Sequence, residues 1–353
     1  MKSSIILITP SLRTGGAERV ISILANYAAE HLSNVVLIIL TKQERFYPID
    51  SRVKIIEPKY GVNKTGKLLF IVKNFMWLRL MLKRSSIQQV LSFSGKYNAY
   101  VLLASIGLGK KVFISDRSKP AISYGKFLDF LNPIVYKWSE GIIAQTSQAK
   151  MFSFRQTKHK NIEVIPNPVK TFDLVHDNNR KSQVINVGRF IKTKHQDLLV
   201  KIFDELGIDN WDLVFFGDGP MHSIVKEKAL RSRHNNRIFF NGNVKEVGIH
   251  YVESAIFAFT SSSEGFPNAL AEAMASGCAC ISFNCVAGPQ DLIDDGINGY
   301  LINEGDVDHF KKKLLMLMED EKLRKKFGMA AREKMKNFEQ ERIAQKYLDF
   351  IVS

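Results

Sequence analysis

The 353-residue chain is poor in cysteine, holding only Cys278, Cys280 and Cys285. An odd, clustered set offers no disulfide framework and points to a reducing compartment. The spacing Cys-x-Cys-x4-Cys has no fourth cysteine or nearby histidine to complete a zinc site, and "CACISF" (278–283) reads as a buried strand. No apolar run reaches about 18 residues, so no transmembrane helix is expected. The opening "MKSSIILITPSL" lacks the longer apolar core and small-residue cleavage site of a signal peptide. A cytosolic protein, or one attached to a membrane from that side, is therefore expected. Acidic residues are scarce in one half only. Residues 1–170 hold 26 Lys+Arg against 9 Asp+Glu, and residues 171–353 hold 24 against 26. The formal net charge of +15 belongs wholly to the N-terminal half, which suits a polyanion or an anionic membrane. Internal repeats and low-complexity tracts are also lacking.

What is present is enough apolar residue (45%) and length for two ordinary domains. Short continuous apolar runs recur at 4–9, 35–40, 88–93, 111–115 and 141–146, and again at 184–188, 213–217, 237–242, 256–261 and 278–283. Helical stretches alternate with them, among them 17–30, 194–206, 220–232, 268–276 and 306–318. Such alternation predicts two α/β domains with doubly wound parallel sheets. The boundary falls in "VIPNPVKTF" (164–172). Ligands of such folds bind outside the carboxyl ends of the strands, so the loops after the strands carry the chemistry.

Four loops stand out. "SLRTGGAERV" (11–20) follows the first strand, and Gly15 and Gly16 let backbone amides approach a phosphate. It is not the G-x-G-x-x-G of dinucleotide binders. "VGRFIKTKH" (187–195) places Arg189 and Lys194 on a strand-to-helix turn, where two cations either grip a diphosphate or are ordinary surface charge. "FGDGP" (216–220) and "NGNV" (241–244) either line a pocket or only turn the chain. In "SSSEGFPNALAEAMASG" (261–277), Glu264 and Glu272 stand eight apart across a predicted helix start at Pro267. The free amides around Phe266 to Ala269 favour an anion, so one ligand could span from Glu264 to Glu272; alternatively, both are solvated charges.

The order T-G-G-A-E-R, V-G-R-F-x-x-x-K, F-G-D-G-P, G-N-V and E-x7-E resembles glycosyltransferase family 4, retaining enzymes of GT-B architecture. The likeness spans nearly the whole chain and includes "AGPQDLIDDGINGYLI" (287–302). It implies two Rossmann-like domains facing a central cleft. Residues 1–168 would form an acceptor-binding domain, with a final helix (338–353) packing back on it, and residues 169–337 a domain for the nucleotide sugar. It further implies that Glu264 holds donor-sugar hydroxyls and Glu272 the ribose. Amides of Gly265, Phe266, Pro267-flanking residues and Asn268 would meet the diphosphate, with Arg189 and Lys194 opposite. Gly15 and Gly16 would close over the phosphates, and Val244 would face the base. With fixed cations on the leaving group, neither metal nor cofactor is required. Many relatives carry a histidine after the fourth strand of the first domain. Here that segment reads "ISDRSKP" (114–120), which puts Asp116 and Arg117 in its place, to contact acceptor or sugar or to form a salt bridge.

The resemblance implies transfer of a hexose or N-acetylhexosamine from a UDP-sugar to a polyprenyl-diphosphate-linked glycan, in surface polysaccharide or O-antigen synthesis. A nucleoside diphosphate sugar 2-epimerase is one alternative. Another is a non-catalytic polyanion- or lipid-binding module. No stacking platform for nucleic acid is visible. "KLLFIVKNFMWLRLMLKR" (67–84) is apolar around most of its helical circumference, and at about 100° per residue Lys73, Arg79, Lys83 and Arg84 fall within roughly 140°. It reads either as a core helix with a cationic edge or as an interfacial helix dipping Phe75, Trp77 and Leu78 into an anionic membrane. The second reading predicts a peripheral enzyme on the cytoplasmic face of the membrane.

Overall fold

Apolar strands that alternate with helices leave two sheet faces to cover, and both halves of the chain do so in the same way. The computed structural model describes residues 3–13, 15–60, 66–172 and 180–352. It divides into two units, Met1–Pro168 with Gln340–Ser353, and Val169–Glu339. In the first unit seven strands, β1 (Ser4–Thr9), β2 (Asn34–Ile39), β3 (Lys54–Ile56), β4 (Gln89–Phe93), β5 (Lys111–Ser115), β6 (Gly141–Ala144) and β7 (Ile162–Val164), form one parallel sheet in the order β3-β2-β1-β4-β5-β6-β7. In the second, β8 (Lys181–Val187), β9 (Asp212–Phe216), β10 (Ile238–Phe240), β11 (Ser254–Phe259), β12 (Ala279–Asn284) and β13 (Tyr300–Asn303) run parallel in the order β10-β9-β8-β11-β12-β13. Both are doubly wound Rossmann-like sheets, and in both the order reverses beside the first strand.

Each unit has a core on either side of its sheet, because side chains alternate along a strand. In β1, Ile5 and Leu7 face one core and Ile6 and Ile8 the other. The helices Gly16–His31 and Gln340–Val352 cover the first face through Ile21, Leu24, Ile343 and Tyr347. The helices Lys67–Arg84, Gly95–Ser105, Lys126–Val135 and Ser147–Thr157 cover the second. In the second unit the helix Gln196–Leu206 packs on one face, and Asn268–Ala275 with Glu321–Met335 on the other. The three cysteines are buried, and burial pushes the Cys278 and Cys285 thiols up to about 12, so they stay protonated at neutral pH.

Three strands escaped the sequence reading. β3 and β7 are three-residue edge strands, and β13 is an edge strand of four; such short edges carry no long apolar run. The helix at 67–84 exists, but its orientation corrects the interfacial reading. Leu78 and Leu82 are fully buried, and Phe75 and Trp77 lean on the same core. Arg79 donates to the carbonyls of Ala104 (3.0 Å) and Ile106 (2.8 Å), capping the end of Gly95–Ser105. The outward stripe is Leu68, Val72, Met76 and Leu80, four residues apart on one face.

The final helix is structural to the first unit, since Ile343, Tyr347, Leu348 and Ile351 are all buried there. Ile343→Ala is expected to lower unfolding free energy by about 2–5 kcal/mol, read from the denaturant midpoint. An unchanged midpoint would detach this helix from the core.

Candidate active site

The second unit brings together loops that are far apart in sequence. β8 and β11 are neighbours at the reversal point, so the loops leaving them emerge side by side. The Asn186 side chain donates to the Ala258 carbonyl at 2.8 Å and ties the two strands there. Beyond the strands, Thr260 Oγ1 donates to the Lys194 carbonyl (2.8 Å), and the Ser262 amide donates to the Thr193 carbonyl (2.9 Å). His195 Nε2 lies 3.1 Å from Ser262 Oγ. His195 itself takes a left-handed conformation (φ +49°) just before the helix Gln196–Leu206.

This stitching sets Lys194 Nζ 2.6 Å from Glu264 Oε1. The two side chains are only 17% and 12% exposed, so the ion pair is largely shielded from water. Lys194 Nζ also lies 4.9 Å from the centre of the Phe259 ring. Two residues expected on different parts of a ligand thus hold each other.

The helix Asn268–Ala275 starts where the stretch 268–276 was expected to, with Pro267 at its cap position. Among the expected free amides, that of Asn268 donates to the Phe266 carbonyl at 2.9 Å, inside the turn. Phe266 and Pro267 are buried, while Gly265 and Glu272 are half-buried. Gly288 has φ +99°, and a Cβ there would lie 2.3 Å from Pro267 Cδ, so the segment after the signature seats directly on this turn.

Arg189 is exposed and borders a cleft of about 400 Å³ shared with Val187, Phe216, Gly217, Asp218, Asn243, Val244 and Val247. The volume suits a small ligand. "FGDGP" does more than turn the chain. Gly217 has φ +128°, and a Cβ there would lie 2.1 Å from the Gly188 carbonyl, so only glycine lets these two loops meet.

In the first unit, Gly15 precedes the helix Gly16–His31, and Gly16 is exposed at its start; Thr14 lies outside the described residues. The Glu18 carboxylate folds back over Gly15, where a Cβ would meet its Oε2 at 2.2 Å, and Ser11 Oγ donates to it at 3.1 Å. Asp116 and Arg117 diverge. Asp116 Oδ1 accepts from Tyr124 Oη (2.9 Å) and the Ser118 amide (3.0 Å). Arg117 turns inward, donating to Tyr347 Oη at 2.7 Å and stacking 4.8 Å over the Phe93 ring. Its Nε and Nη2 are buried with no hydrogen-bond partner among the described residues. Tyr347 and Tyr124 gave no signal in the sequence, because nothing there marks which remote residues reach this strand end.

Two measurements test this geometry. Lys194→Met and Glu264→Gln, alone and together, should give a coupling of about 0.5–3 kcal/mol in unfolding free energy; additive costs would dissolve the pair. Burial raises the Asp116 carboxyl above its ordinary range, against the opposing pull of Ser118, Tyr124 and Arg117. A raised value means the folded state holds its proton more tightly than the unfolded one. Stability is then lost as pH climbs from about 4 through the raised value. Asp116→Asn should therefore exceed the parent in melting temperature at about pH 8 and lose that advantage below about pH 4. An advantage that persists in acid would contradict the buried carboxylate.

Residues 172–334 match the family described as glycosyl transferases group 1. The amylovoran biosynthesis glycosyltransferase AmsD of Erwinia amylovora is 26% identical over 99% of this chain and 100% of its own length. A Campylobacter jejuni α-1,4-N-acetyl-D-galactosaminyltransferase named for a diphospho-undecaprenol-linked glycan is 28% identical over 99% of this chain and 98% of its own. Among solved structures, the lipopolysaccharide outer core galactosyltransferase WaaB in its apo form superposes with a TM-score of 0.81 at 21% identity, over 99% of both chains. TarM superposes at 0.80, with 14% identity, over 100% of this chain and 99% of its own. Residues 172–334, which include the E-x7-E segment, thus carry the match to the group 1 glycosyltransferases, and the two Rossmann-like units have the GT-B fold of these neighbours.

Proposed function

We propose that this glycosyltransferase acts with retention, moving a hexose or N-acetylhexosamine from UDP-sugar to a glycan carried on a polyprenyl diphosphate. The observation that carries the donor reading is the Lys194–Glu264 pair, set beside the Arg189–Val244 cleft and the start of the signature helix. The second unit would take the nucleotide sugar. Val244 and its neighbours would lie against the base, Glu272 would accept from ribose hydroxyls, and Arg189 and Lys194 would hold the diphosphate. As the glycosidic bond to the diphosphate breaks, negative charge grows on the leaving oxygen, and these two cations stabilise it without a divalent ion. Glu264, held by Lys194, is then aimed at the sugar as a positioning residue. The first unit would take the acceptor, with Asp116 near it. AmsD and the Campylobacter enzyme, by their names, support a product in polysaccharide or lipid-linked glycan synthesis, and a diphospho-undecaprenol-linked acceptor would bring the enzyme to a membrane surface.

Calorimetry with UDP tests the donor site. Arg189→Ala and Glu272→Ala should each weaken UDP binding by about 1.5–3 kcal/mol, the loss of one charge-assisted hydrogen bond. Glu264→Gln leaves the Lys194 charge available, so UDP affinity should hold while sugar transfer falls. Equal loss of UDP affinity in the Glu264 and Glu272 variants would end this division of roles. Activity abolished by a chelator and restored only by a divalent ion would end the metal-independent reading.

A further inference from the structure

We propose that the four-helix face of the first unit is its bilayer-docking surface, with the helix Lys126–Val135 and the turn Tyr136–Trp138 as the inserted element. The proposal deepens the membrane reading above and names its residues.

The helices on that face lie in the order Lys67–Arg84, Gly95–Ser105, Lys126–Val135, Ser147–Thr157, each packed on the next. Their inner sides feed the core through Leu78, Leu82, Leu102 and Val135. Their outer sides are unusually apolar. Phe127 and Phe130 are each 72% exposed and Trp138 56%, with Ile134 beside them. At spacings of three, four and four, these side chains share one face of the helix and its continuation. Met151 and Phe154 are exposed on the neighbouring helix, and Leu68, Val72, Met76 and Leu80 across the layer. A run of exposed large apolar side chains on this scale marks an interaction surface.

Charge selects the occupant. The segments 67–84, 95–105, 126–138 and 147–157 contain ten Lys and Arg and one acid, Asp129. Asp129 is occupied in accepting from Ser123 Oγ (2.5 Å) and the Tyr124 amide (2.8 Å). The helices on the opposite face, 16–31 and 340–352, contain three Lys and Arg and four acids. Aromatic and aliphatic side chains set among ten cations against a single acid match the boundary between headgroups and acyl chains of an anionic leaflet. A second copy of this face would oppose cations to cations. Lys126 and Lys137, both exposed, flank the aromatic stripe and would meet lipid phosphates.

The test uses the full chain without donor or acceptor, so it is independent of the nucleotide calorimetry. Mixed phosphatidylglycerol–phosphatidylcholine vesicles should sediment the protein at low salt, roughly tenfold better than phosphatidylcholine alone, and salt should release it. Trp138 is the exposed one among three tryptophans, since Trp77 is half-buried and Trp211 is 3% exposed. Parental emission should therefore shift to the blue on binding, and Trp138→Phe should abolish the shift while vesicles still bind. Phe127→Ser/Phe130→Ser should weaken binding at least roughly tenfold, with an unchanged melting curve. Phe46→Ser, an exposed site after β2, should leave binding intact. The proposal falls if the parent ignores anionic vesicles at low salt, if its emission does not move, or if the double variant binds as well as the parent. Dimerisation through Phe127 and Phe130 in place of vesicle binding, seen by sedimentation velocity, would also overturn it.

Discussion

A lysine and a glutamate seventy residues apart in sequence meet at 2.6 Å in a place mostly closed to water. Neither charge is well placed alone, because removing either partner leaves the other poorly solvated. The pair therefore constrains what surrounds it. β8 and β11 must be adjacent, although β9 and β10 intervene in sequence, and their loops must emerge in step. The contacts of Thr260 and Ser262 to the 193–195 backbone meet that condition without using either charged group. The geometry of the pair is thus built into the backbone contacts between the two loops.

Much of this was legible in the sequence, and the limits have physical causes. Runs such as "SIILIT" and "IFAFTS" declared themselves as buried strands because both faces of a parallel sheet are covered. The spacing of Glu264 and Glu272 placed one acid before a helix and one within it. That Glu264 would hold Lys194 was not legible, since strand order is a tertiary fact written in no local pattern. The same holds for Arg117, whose partner Tyr347 lies 230 residues away. The helix at 67–84 was visible, but its buried side was not. A segment apolar around most of its circumference has no preferred inward face until its neighbours are known, and here the adjoining helix end that Arg79 caps decides it.

The two faces of the first sheet show how far one strand pattern can serve opposite needs. Ile5 and Ile6 are equally buried and chemically the same, yet the layers they support differ completely in charge. The core requires only apolar surface, so it leaves the outer side of each helical layer free to carry a different chemistry.

The return of the last helix to the first unit has a consequence for synthesis on the ribosome. Residues 169–339 form a unit complete in themselves, whereas the earlier residues share a core with 340–352. Domains ordinarily fold in the order in which they emerge. Here the first unit waits with Leu24, Phe93 and Phe113 unsealed while the whole of the second is made. The unit translated first is therefore the last to close, and until it does, its unfinished sheet is the part of the nascent chain most in need of a chaperone.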